Sequence, residues 1–184
     1  MIITLSGNVA SGKSTIGDAL AEKLGFKRYS SGNFMRAMAK KKGVTLQKLG
    51  KEAEKTIMID KEIDDMIIKL SKKEDNFIID SRLAWYFIPH SFKIYLHVGK
   101  KEQVRRMKLD LSNKKRGEEE IKNDKDILEK IKEREESEKE RYMKYYGIDY
   151  HQKKFYDLWL KTDELTIDTC AEEIKKVLKK QKLL

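Results

Sequence analysis

Apolar residues in this chain follow two rhythms. Short runs at 2–6, 76–80, 92–98 and 156–161 have the length and composition of strands, and a weaker candidate lies at 27–30. Between them, apolar residues recur at helical spacing. Ile16, Leu20 and Leu24 share one face of a helix at 15–24. Ile63, Met66, Ile67 and Leu70 fall at i, i+3, i+4 and i+7 of another at 61–70. Helices are also predicted over 32–42, 46–54, 101–111, 124–146 and 171–182. Strands alternating with helices predict the α/β class, with a parallel sheet covered on both faces. In such sheets a ligand sits beyond the carboxyl ends of the strands.

The first of those carboxyl ends carries the most specific signal. Gly7, Asn8, Val9, Ala10, Ser11, Gly12, Lys13 and Ser14 fit G-x-x-x-x-G-K-[ST], with a strand candidate before them and a helix after. Gly7 and Gly12 permit backbone angles and close approaches that a side chain would block. Successive N–H groups then point into one concavity at the positive end of the following helix, where polyphosphate oxygens accept hydrogen bonds. Lys13 is expected to reach the β- and γ-phosphates, and Ser14 to ligate Mg2+. The residues from Gly7 to Thr15 are the candidate ATP site.

Composition bounds the partners without choosing among them. Lys and Arg number 41 against 31 Asp and Glu, a net charge of +10 that favours polyanions, whether nucleotide or nucleic acid. The 184 residues suffice for one domain with a real core. Cys170 is the single cysteine, which excludes an internal disulfide and any multi-cysteine metal site; in its helical pattern it reads as a packing residue. No stretch approaches a membrane span and none reads as a signal peptide, so a cytoplasmic location is expected. His90, His97 and His151 lack zinc-ligand spacing.

Four further groups of residues fall where chemistry is expected. Asp80 ends the apolar run Phe77-Ile78-Ile79, the place of an acid that holds Mg2+ opposite a P-loop. Arg82 follows two residues later, where a guanidinium can grip a phosphate bidentately or merely form a surface ion pair. Ser31 can cap the helix that starts after the second strand, and Arg36 lies more than a turn into it. Arg134, Glu138 and Arg141 stand at i, i+4 and i+7, so they share one helix face. That spacing fits two arginines over a transferring phosphoryl group, and equally a solvated charged stripe. Residues 112–123 are almost free of apolar side chains and read as a solvated loop or as a basic lid that closes on phosphates.

Taken in order, these segments resemble a nucleoside monophosphate kinase, and most of all the short archaeal-type cytidylate (CMP/dCMP) kinases. The resemblance spans nearly the whole chain. It rests on the P-loop, on Ser31-Gly32-Asn33-Phe34-Met35-Arg36, on Asp80-Ser81-Arg82-Leu83-Ala84-Trp85, and on Arg134-Glu135-Glu136-Ser137-Glu138 with Arg141-Tyr142. It implies a three-layer P-loop kinase fold with a five-stranded parallel sheet, a small helical acceptor-binding region near 31–73 and a lid near 112–141. It further implies that Ser31, Arg36 and Arg82 hold the acceptor, with Arg36 on its phosphate. Glu138 would stand near the acceptor sugar, and Lys13, Arg134 and Arg141 would act on the transferred group. Leu83 and Asn33 both stand where relatives commonly carry aspartate, and no residue legible in the sequence selects cytosine over uracil.

The activity so implied is ATP- and Mg2+-dependent phosphorylation of CMP or dCMP by a monomer, with no nucleic-acid or membrane partner. Phosphorylation of UMP, AMP or another small phosphorylated acceptor is the alternative within the same chemistry. A nucleotide-switched nucleic-acid-binding protein is a more distant one. Against it, the basic residues are interleaved with acids along helices, and no RNA-recognition signature is present.

Overall fold

The computed structural model describes residues 1–112 and 123–184. Its centre is β1 (Ile2–Gly7), which pairs with β3 (Phe77–Asp80) on one side and β4 (Phe92–His97) on the other. The edges are β2 (Lys27–Ser30) beside β3 and β5 (Leu158–Lys161) beside β4, so the order is β2-β3-β1-β4-β5 and every pairing is parallel. All five predicted strands are present. Asp80 lies opposite Leu5 on β1 and Ser30 on β2, which sets its carboxylate level with the start of the P-loop.

Alternation along β1 sends its side chains into two cores. Ile3 and Leu5, with Ile78, Ile94 and Leu96, pack against α1 (Lys13–Leu24) and α8 (Ile167–Lys180). Cys170 is buried in this layer, as its helical setting predicts. Ile2, with Phe77 and Ile79, packs against α2 (Ser31–Lys42), α3 (Leu46–Lys55) and α4 (Met58–Lys73). The result is the three-layer α/β arrangement. No described helix is long and apolar enough to cross a membrane.

Several boundaries differ from the sequence reading. A four-residue helix, α5 (Ala84–Phe87), has too little length to show a period. α4 starts at Met58, and its buried stripe is Ile59, Ile63 and Ile67, whereas Met66 is exposed. β5 starts at Leu158, after a 3-10 turn at Lys153–Phe155. α8 starts at Ile167, where the Thr166 hydroxyl caps it by accepting from the Thr169 N–H at 3.1 Å. Ser31 does not cap α2. The cap position is Ser30, and its hydroxyl is turned away to Asp80.

The charged helix α7 (Asp124–Tyr146) carries most of the segment 112–141 that the resemblance assigns to a lid. Its Ile127 and Ile131 are buried against Val9 of the P-loop and against Val104 and Met107 of α6 (Lys100–Ser112). Of the segment 112–123 assigned to the lid, residues 113–122 lie outside the described residues. The tyrosines near the end of α7 turn inward. Tyr142 and Tyr146 pack with buried Tyr150 against Leu83, Trp85 and Tyr95.

Candidate active site

The P-loop owes its shape to two glycines. Gly7 has φ 144°, and a Cβ there would lie 2.2 Å from the Leu96 carbonyl oxygen on β4. Gly12, at φ 86°, turns the chain into α1. Asn8 clamps the loop to the sheet: its amide donates to the Val98 carbonyl at 2.8 Å and its carbonyl accepts from the Val98 N–H at 3.0 Å. On the far side, Arg106 donates to the Thr162 hydroxyl at 3.1 Å and pairs with Glu102 at 2.8 Å, while Thr162, fully buried, donates to the Ser11 carbonyl. Thr15 donates back to the Gly12 carbonyl at 3.1 Å.

Lys13 folds over this loop. Its ammonium donates to the carbonyls of Gly7 (2.9 Å) and Asn8 (2.8 Å) and to the Ser11 hydroxyl (3.3 Å). Burial, and next the nearby Arg82 guanidinium, push its pKa well below the ordinary lysine value.

Asp80 gathers three elements. Its carboxylate accepts from the Ser14 hydroxyl at 3.3 Å and the Ser30 hydroxyl at 3.1 Å, and it is ion-paired with Arg28. Ser14 and Asp80, the two residues predicted to hold Mg2+, are thus adjacent. Both offer oxygen donors, which suit a hard divalent cation. Arg28 was not legible in the sequence: on an edge strand, alternation shows which face a residue takes but not which acid it meets.

The other wall is built on charge. Glu138 sits between Arg82 Nε at 2.7 Å and Arg134 Nε at 3.2 Å, and accepts from the Tyr150 hydroxyl at 3.2 Å. Burial alone would raise its pKa. Arg82 and Arg134 more than reverse this and hold the carboxyl far below the usual glutamate value. One turn on, Arg141 Nε lies 2.8 Å from Asp60 Oδ2, an ion pair without hydrogen-bond geometry, and the guanidinium lies over the Tyr142 ring.

These groups share one cleft of about 870 Å3. Val9 to Thr15, Ser31, Arg36, Asp80, Arg82, Arg134, Glu138 and Arg141 all line it; Gly7 and Asn8 lie behind the loop as its support. Arg36 points to Asn33 of its own helix. Two features have no sequence signal. Asp60 and Asp64 enter the cleft from α4 beside an apolar stripe. Glu135 of α7 accepts from the Val9 N–H at 3.0 Å and from Gln103 at 2.8 Å, and Gln103 also donates to the Val9 carbonyl at 3.0 Å. Among the described residues, no histidine lines this cleft.

Known proteins share this chain's plan. A sequence profile described as the cytidylate kinase-like family matches residues 2–164. A cytidylate kinase from Sulfurisphaera tokodaii is 36% identical over 182 residues, covering 97% of this chain and 95% of the relative. One from Methanobrevibacter smithii is 35% identical, covering 97% and 99%. Among solved structures, shikimate kinase from Acinetobacter baumannii in complex with shikimate superposes with a TM-score of 0.64 at 17% identity, covering 100% of this chain and 95% of the other, a likeness of fold. With a family profile and full-length relatives above 30% identity in agreement, this chain belongs to the cytidylate kinase-like family.

Proposed function

We propose that this protein transfers the γ-phosphoryl group of ATP to the phosphate of CMP or dCMP. An acceptor phosphate oxygen forms the new P–O bond as the bond to the β-phosphate bridging oxygen breaks, giving ADP and CDP or dCDP. One observation carries the reading. In a chain of this family, a P-loop faces three arginines across one cleft, Arg82 and Arg141 almost buried and Arg134 open to solvent.

The acceptor oxygen is already anionic, so catalysis needs positioning and charge neutralisation rather than a strong base. The P-loop N–H groups and the end of α1 hold the donor phosphates. Lys13 exchanges its loop carbonyls for phosphate oxygens. Arg36 and Arg82 hold the acceptor phosphate, with Ser31 at the start of α2 beside them. Arg134 and Arg141 neutralise the equatorial oxygens as charge spreads, and Glu138, near the acceptor sugar, keeps the Arg82 and Arg134 guanidinia aligned. Ser14 and Asp80 would hold Mg2+, which when bound neutralises charge on the β- and γ-oxygens. Residues 31–73 form the acceptor-binding region, and residues near 112–141 the lid.

ADP release, measured with CMP, dCMP, UMP, AMP and GMP in parallel, tests this. Turnover of CMP and dCMP that is lost in Arg141→Ala is expected. Turnover of another nucleotide alone would overturn the cytidylate assignment and keep the chemistry.

A further inference from the structure

Asp60 and Asp64 stand four residues apart on α4, and both line the cleft while only 7% and 9% exposed. Each meets a side chain of α7, Arg141 for Asp60 and Tyr146 for Asp64. The apolar stripe beside them already fixes the helix to the sheet. Two carboxylates one turn apart repel each other, and burying them is unfavourable unless they are matched. Asp64 is matched in part, by a hydrogen bond from the Tyr146 hydroxyl. Asp60 is matched in charge alone: Arg141 Nε lies 2.8 Å from its buried Oδ2, and neither atom has a hydrogen bond.

A carboxylate pair repels phosphate, whereas the phosphate-seeking groups Lys13, Arg82 and Arg134 cluster around Glu138. The Asp60–Asp64 side of the cleft is therefore suited to the uncharged part of the acceptor. Ionised carboxylates, as Asp60 is beside Arg141 and as Asp64 becomes above about pH 7, only accept hydrogen bonds. On a pyrimidine, the matching donor is an exocyclic amino group, as cytosine N4 provides; uracil places a carbonyl oxygen there instead, acceptor against acceptor.

We propose that Asp60, oriented by Arg141, and Asp64, held by Tyr146, read the 4-position of the acceptor pyrimidine and select an amino-bearing base over an oxo-bearing one. This rests on the nucleoside monophosphate kinase reading above. In each of Asp60→Asn and Asp64→Asn, which keep side-chain size but add a donor, the CMP-to-UMP ratio of kcat/KM should fall by about tenfold or more, mainly through KM for CMP. A ratio unchanged while both activities decline together would overturn the proposal and leave a structural role. A wild-type protein that uses CMP and UMP equally would overturn it with the kinase reading intact. Failure to turn over any monophosphate would overturn both. A measurement on the unmodified protein removes dependence on the variants' folding. A CMP analogue lacking the 4-amino group should lose about tenfold or more in kcat/KM, and undiminished turnover would sink the idea.

Discussion

Glu138→Gln probes the charge arrangement that holds the cleft together. The carboxylate is the partner of Arg82, and both side chains are about nine-tenths buried, at 12% and 10% exposure. Removing one member of a buried pair leaves the other charged and unmatched, typically about 3–5 kcal/mol. Glutamine can still accept from Tyr150, which places the expected loss near the lower end, about 3 kcal/mol. In a chain of this length each kcal/mol moves Tm by about 2–4 °C, so a drop of about 6–12 °C is expected. The pH dependence has a definite sign. The Glu138 pKa is lowered in the folded state, so its contribution is complete above the unfolded value of 4.5 and is lost as pH falls through the folded value. Calorimetric melts should therefore show a constant gap between wild type and variant from pH 6 to 8, narrowing in strong acid. A variant melting within about 2 °C of wild type at pH 7 would refute the view that Glu138 is the partner that makes burial of Arg82 tolerable.

Lys13→Met should lower kcat by about a hundredfold or more with the fold retained, since its three partners are all in the loop it folds over; steady-state kinetics with circular dichroism checks both halves. Gln103→Leu strands the Val9 carbonyl and one bond to Glu135, so unfolding in urea should show a loss of about 1–3 kcal/mol, together with a raised KM for ATP. No change in either would mean that the contact between α7 and the P-loop does not position the loop. Burial pushes the Asp64 pKa up to about 7, so ionising it in the folded state costs stability progressively between pH 4 and 7. Asp64→Asn should accordingly gain stability relative to wild type as pH rises over that range, and a Tm difference that is constant from pH 4 to 8 would contradict it.

What was legible in the sequence followed from local spacing. The P-loop needs only eight consecutive residues, and Asp80 only its place at the end of an apolar run. The Arg134, Glu138 and Arg141 face needs only helical geometry, which the structure bears out. What spacing could not show is the partner across space. Nothing in the sequence says that Glu138 meets Arg82 and Tyr150, which come from two other segments. Arg28 reaches Asp80 because β2 and β3 are neighbours, a matter of strand order rather than of pattern. Asp60 and Asp64 were hidden for a different reason. They flank the apolar stripe of α4, where acids normally mark the solvent side, and only the cleft above α4 makes them part of a site. The contact of α7 with the loop was hidden by its composition: in a strongly charged helix, Ile127 and Ile131 pack on Val9 and Glu135 accepts from its N–H.

Product identification tests the central claim most directly. The protein is incubated with ATP, Mg2+ and CMP, and the nucleotides are separated and quantified. CDP and ADP forming in equal amounts, with negligible free phosphate, is the expected result. ADP and inorganic phosphate accumulating without CDP would contradict phosphoryl transfer to the acceptor.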